Sequence, residues 1–100
     1  MARFDLYRLP AGQQLVVDVQ SDHASAKVGT RVVAPLIPVD ELGALITGLN
    51  PVIRVHERDY AFVAQSLATL TRAELGEHLG SLTEHHDEMA RALDILLTGF

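Results

Sequence analysis

The stretch LTEHHDEMARALDILLTGF, Leu82–Phe100, decides how the rest of this chain is read. Apolar side chains fall at Leu82, Met89, Leu93, Leu96 and Phe100, steps of three, four and seven that stack on one face of an α-helix. Ser81 and Glu84 have the spacing of a capping box, in which the hydroxyl satisfies an orphan backbone N–H and the glutamate reaches back. Glu84, Asp87 and Glu88 crowd the first turns, where negative charge suits the positive end of the helix dipole. Ile95, Leu96 and Leu97 are consecutive, so the last full turn is apolar on every side. Such a turn needs cover from more than one direction, and its own domain supplies only one. Gly99 reads as the residue just past the helix, with Phe100 folding back as an apolar clasp. Two readings stand: a core helix whose tail is apolar, or a surface for a second copy or partner built from the C-terminal residues.

Working back from that helix, Thr71 and Glu74 make a second capping-box pair, opening a short helix through Leu75 and Leu79 that Gly80 closes. The remainder is mostly strand-like. Alternation from Arg3 to Leu9 predicts a first strand, Pro10-Ala11-Gly12 turns the chain, and Leu15–Gln20 returns as its antiparallel neighbour. Ser21–Thr30 is a small, polar loop long enough to carry function. Arg31–Ile37 is a third strand, placed at an edge or bulge because Pro35 has no N–H to donate. Asp40–Leu49 predicts a short helix with Asp40 as cap and Leu42, Leu45, Ile46 and Leu49 inward, weakened by Gly43 and Gly48. Pro51–Val55 and Tyr60–Ala64 form a hairpin around a four-residue turn, His56–Asp59, and a sixth strand lies near Leu67–Leu70. Strands first and helices last predict one α+β domain over residues 1–100, a small antiparallel sheet or barrel with a helix packed on it.

Composition narrows the classes. Hydrophobic residues make up 48% and charged residues 21%, a balance suited to a globular domain with a single core. With no cysteine there is neither a disulfide framework nor a thiolate site, and a reducing cytoplasm is the expected compartment. The start, MARFDLYRLP, lacks the apolar core of a signal peptide, and no run reaches the length of a membrane helix. Net charge is −5 and the eight Lys and Arg are scattered, which argues against direct nucleic-acid binding.

Chemistry-bearing clusters are few. Glu77-His78 and Glu84–Glu88 are rich in zinc-ligand types, and His85 and Glu88 have convergent spacing. Adjacent His85 and His86 diverge by about 100° around the helix, so the expectation is a solvated helix start and no metal. Asp18 and Asp22 with His23 or His56 are candidates for hydrolytic chemistry, although nothing in the pattern brings them together. Arg54, His56, Arg58 and Asp59 suggest ribonuclease-like phosphate handling; the simpler reading is charges balancing across a hairpin. The seven glycines are isolated and form no phosphate loop. From the residues, this is a small binding module with no visible active site and no cofactor.

The segment Val17-Asp18-Val19-Gln20-Ser21-Asp22, then Arg31-Val32-Val33-Ala34-Pro35-Leu36 and Asn50-Pro51-Val52-Ile53-Arg54-Val55, resembles the CcdB family of plasmid-addiction toxins. The likeness continues through Leu75-Gly76-Glu77 to a terminal helix ending in Gly99 plus one apolar residue, and so spans effectively the whole chain. It implies an SH3-like barrel of the CcdB/MazF type with a long C-terminal helix, assembled as a homodimer. It implies a poison and not an enzyme: one that binds the A subunit of DNA gyrase and traps its cleaved-DNA complex. A cognate antitoxin would neutralise it and, with it, repress the operon, the antitoxin supplying the DNA contacts. By this resemblance the gyrase-binding positions are His23, Ala24, Asp94, Thr98, Gly99 and Phe100, and the dimer is expected to use Leu93, Leu96, Leu97 and Phe100.

Several of those positions depart from the family pattern. The family tip reads Trp-Gly-Ile where this chain has Thr98-Gly99-Phe100. Two isoleucines after the shared VDVQSD are His23 and Ala24 here, and a helix asparagine is Asp94. The scaffold is kept while contact positions change, which leaves two alternatives beside gyrase poisoning. One is a CcdB-like toxin with an altered or lost target. The other is an endoribonuclease, since mRNA-cleaving plasmid toxins share the barrel.

Overall fold

A computed structural model describes residues 2–99. Seven antiparallel strands form one curled sheet: β1 Asp5–Arg8, β2 Leu15–Asp18, β3 Thr30–Pro38, β4 Val52–Val55, β5 Arg58–Phe62, β6 Ala68–Thr71 and β7 Glu77–Ser81. Their order is β4-β5-β3-β2-β1-β7, with β6 on β3 off that path. Three helices complete the fold: α1 Asp22–Ser25, α2 Arg72–Leu75 and α3 His86–Thr98. The class is α+β, as expected, although β7 follows α2 and so interrupts the strands-then-helices order.

The nine-residue β3 is the spine of the sheet, not its edge. One side pairs along β2; the other pairs with β6 through Thr30–Val33 and with β5 through Leu36–Pro38. Pro35 is tolerated here because its carbonyl accepts from the Val63 amide on the second side. A strand residue's N–H and C=O point the same way. The missing donor therefore faces the gap between β6 and β5, not the β2 ladder.

Four further expectations are corrected. Asp40–Leu49 is not an α-helix: a 3-10 turn at Val39–Glu41 gives way to bends, and Leu45 and Ile46 are exposed. Gly43 and Gly48 leave too little helix propensity for so short a segment to hold. The β4–β5 connection is two residues, not four, with His56 and Glu57 at φ 50° and 65°, the primed turn that matches strand twist. The Thr71–Glu74 capping box forms as expected, but α2 stops at Leu75 and Glu77–Ser81 becomes a strand on β1. Ser81 consequently ends β7 opposite Asp5 and caps no helix; its hydroxyl accepts from the Thr83 amide at 3.2 Å, and α3 starts only at His86.

The sheet carries a core on each face. Phe4, Leu6, Val17, Leu36, Ile53 and Phe62 line the concave face, and α3 closes it with Met89, Ala92 and Leu93. Those three helix positions follow the i, i+3, i+4 stripe. The smaller second core joins Tyr7, Val16 and Val33 beneath Leu75 of α2. Among the described residues no helix is long and apolar enough to cross a membrane.

Candidate functional site

The end of α3 keeps its inner face for the barrel and turns the rest outward. Leu93 is only 5% exposed and belongs to the protomer's own core, so its side chain has little left to offer a second chain. Leu96 is half-buried against that core, and Leu97 is 70% exposed. Asp94, Thr98 and Gly99 are exposed beside it. Asp94 and Thr98 are brought together directly: the Thr98 hydroxyl donates to the Asp94 carbonyl at 2.6 Å, so it is held by the helix and does not point free into water. Gly99 takes the left-handed conformation, and its amide donates to the Ile95 carbonyl at 3.0 Å, ending the helix as its position suggests. Phe100, assigned above to the clasp, the gyrase contact and the dimer, lies outside the described residues.

His23 and Ala24 sit on a different element. Ser21 caps α1 by accepting from the Ala24 amide, and the Asp22 carboxylate accepts from the Arg3 amide, pinning this turn to the start of β1. His23 is exposed and Ala24 half-buried. The candidate contact residues thus form two groups, one on α1 and one at the end of α3. Sequence reasoning missed a neighbour of the second group. A Cβ on Gly48 would lie 3.0 Å from Ile95 Cδ1, so the Leu42–Leu49 loop leans on α3 while exposing Leu45 and Ile46.

The polar clusters resolve into pairs. His85 contacts Glu88 at 3.3 Å, His86 contacts Asp87 at 3.1 Å, and the His86 ring meets Phe4 edge-on. Among the described residues no three metal-ligating side chains converge. Arg54 pairs with Asp59, and Arg58 with Asp40 and Glu41, so both hairpin arginines are already neutralised. No arginine of that hairpin is left beside a free base to hold phosphate.

Asp18 meets neither His23 nor His56. Its partner is Arg31, an ion pair at 3.8 Å with side chains 1% and 2% exposed. Burial pushes the Asp18 carboxyl above its ordinary value, outweighing the Gln20 amide and the Arg31 charge, which pull it down. Tyr7, in the same second core, is also raised by burial and then by the Asp5 and Asp18 carboxylates. The alternation of β2 and β3 carried a signal for this pair: Asp18 and Arg31 both fall on the face shared with Val16 and Val33.

Comparison with known proteins adds three findings. The profile of the family described as CcdB protein matches residues 3–99. No curated protein sequence matches this chain. Among solved structures, an endoribonuclease from a mycobacterial species superposes with a TM-score of 0.77 at 18% identity, covering 97% of this chain and 90% of that one. An endoribonuclease in complex with its cognate antitoxin, also mycobacterial, gives 0.77 at 17% over 97% and 94%. Toxin MazF-mt6 of Mycobacterium tuberculosis gives 0.71 at 13% over 90% and 92%. These likenesses establish the α+β, SH3-like toxin fold.

Proposed function

Since the chain belongs to the CcdB family, we propose that it is the toxin of a type II toxin–antitoxin module and acts by binding, without turnover. In this reading a cytoplasmic homodimer engages the A subunit of DNA gyrase and holds its cleaved-DNA complex. A cognate antitoxin neutralises the toxin and brings the pair to operator DNA. The observation that carries the reading is the tip of α3. Its inner face is spent on Met89, Ala92 and Leu93, while Asp94, Leu97, Thr98 and Gly99 project from the barrel on a rigid helix. A preorganised tip carrying one exposed leucine suits a protein that works by being bound. The hairpin arginines, tied up by carboxylates, lend no support to phosphodiester cleavage there.

The test is a gyrase cleavage-complex assay with the wild type and Thr98→Trp side by side. Thr98 offers little area, and its hydroxyl is occupied by the Asp94 carbonyl. An aromatic at an interface centre commonly carries about 2–4 kcal/mol, roughly 30- to 1,000-fold in affinity. The wild type should trap cleaved DNA weakly and the tryptophan variant strongly. If neither variant traps DNA, the gyrase reading falls. RNA decay on expression, with intact DNA, would replace it with the endoribonuclease alternative.

A further inference from the structure

We propose that the pocket between α1, β3 and α2 is a site for a single oxyanion, held by Arg31 and Arg72 and filled by a side-chain carboxylate of a partner peptide. It is lined by Ala2, Asp22, Ser25, Ala26, Arg31 and Arg72, an open hollow of about 470 Å³ with room for a side chain.

The case begins with Arg31, a guanidinium with five donors. Nη1 donates to the Val28 and Thr30 carbonyls at 3.2 and 2.9 Å. Nε is buried, has no hydrogen-bond partner and stands 3.8 Å from Asp18 Oδ2, which likewise accepts no hydrogen bond. Nη2 donates to no described residue. A side chain 98% removed from water with most of its donors unused is costly unless something else accepts from it. Asp18 offers it charge but no hydrogen bond, standing 3.8 Å away.

The surroundings fit an anion. Arg72 opens α2 at the pocket wall, exposed and in no ion pair with a described residue. The Ser25 hydroxyl accepts from Gln20 Nε2, which leaves its own proton to donate. Asp22 is the one acidic lining residue, and one of its oxygens is held by the Arg3 amide. Size and charge choose among oxyanions. On a chain of net charge −5 a polyphosphate strand meets repulsion over its whole length, whereas a lone carboxylate needs only the local pair of arginines. Asp22, Ser25 and Ala26, which bracket His23 and Ala24 in sequence, line the pocket, so a partner contacting α1 lies beside it. None of this depends on whether gyrase is the target.

The experiment follows the Arg31 Nε–H and the Ser25 and Ala26 amides by nitrogen–proton NMR at constant pH and ionic strength. Probes are sodium acetate, inorganic phosphate, a capped Gly/Ser hexapeptide carrying one glutamate and a short oligothymidylate, with sodium chloride as reference. Acetate and phosphate should shift these signals saturably, chloride should not, and the single-glutamate peptide should bind more tightly than the oligothymidylate. Arg72→Glu should weaken the single-glutamate peptide by about tenfold or more, as loss of a charge-assisted contact implies, while Arg72→Lys keeps most of it. Arg72 is exposed, so an otherwise unchanged spectrum verifies the fold of each variant. Absence of saturable shifts, or equal binding by Arg72→Glu, overturns the site. Tighter binding of the oligothymidylate overturns the peptide as its source.

Discussion

Leu97→Asp should dissociate the proposed dimer without unfolding the protomer. The side chain is 70% exposed, so the barrel gains little from it, whereas Leu93, four residues back on the helix, is 5% exposed inside the core. Fully burying a leucine is worth about 1.5–3 kcal/mol, so covering the exposed share of Leu97 contributes about 1–2 kcal/mol per copy. A twofold interface presents the residue twice. Its loss therefore removes about 2–4 kcal/mol, roughly 30- to 1,000-fold in dimer dissociation constant. That is a lower bound, because an aspartate would also need to be desolvated. Sedimentation velocity over a micromolar concentration series, with circular dichroism and urea melts on the same samples, separates association from folding. Leu97→Asp should sediment as a folded monomer, and Leu93→Asp should not fold. A Leu97→Asp protein that stays dimeric at wild-type concentrations refutes the assignment of this helix face. One that unfolds refutes the claim that the barrel does not need it.

Two further outcomes concern stability. Gly76 joins α2 to β7 at φ +71°, ψ −139°, and a Cβ there would run into the Arg8 carbonyl oxygen and lie 2.7 Å from Pro10 Cδ. Gly76→Ala should therefore cost about 2–6 kcal/mol, backbone strain plus displaced neighbours. Gly99→Ala, with φ +81° and open space, should cost only about 1–2 kcal/mol in urea melts; equal losses would refute the steric argument. Asp18 sets a pH dependence. Its folded pKa is raised above the 3.8 of the free group, so the stability it lends is complete below that value and is lost as pH rises through the folded one. Melts at stepped pH should show this falling limb in the wild type. Asp18→Asn should flatten it, be at least as stable near neutrality, and converge with the wild type in acid; parallel profiles would contradict it.

Much of the molecule was legible from local pattern. The stripe Met89, Leu93, Leu96 specified α3 and its buried face, and Gly99 marked its end, because helical periodicity and left-handed caps are properties of a few neighbouring residues. The Thr71–Glu74 box formed for the same reason. The motifs VDVQSD and RVVAPL carried the family.

Tertiary structure decided the rest. Glu77–Ser81 has a glycine at its fourth position and reads as a helix end, yet it is a strand because β1 offers it a free edge. Ser81 then satisfies the sheet and the Thr83 turn, so the same serine cannot cap α3. Pro35 looks like an edge residue, but its missing donor falls where β3 exchanges one partner for another. Asp18 and Arg31 are thirteen positions apart in sequence, and only the β2–β3 register, which sets Asp18 opposite Val33, brings them onto one face as diagonal neighbours. Which apolar residues remain outside was likewise a matter of packing. Leu93 and Leu97 are alike in composition and separated by four positions, but the barrel has room for one of them, and the other stays exposed.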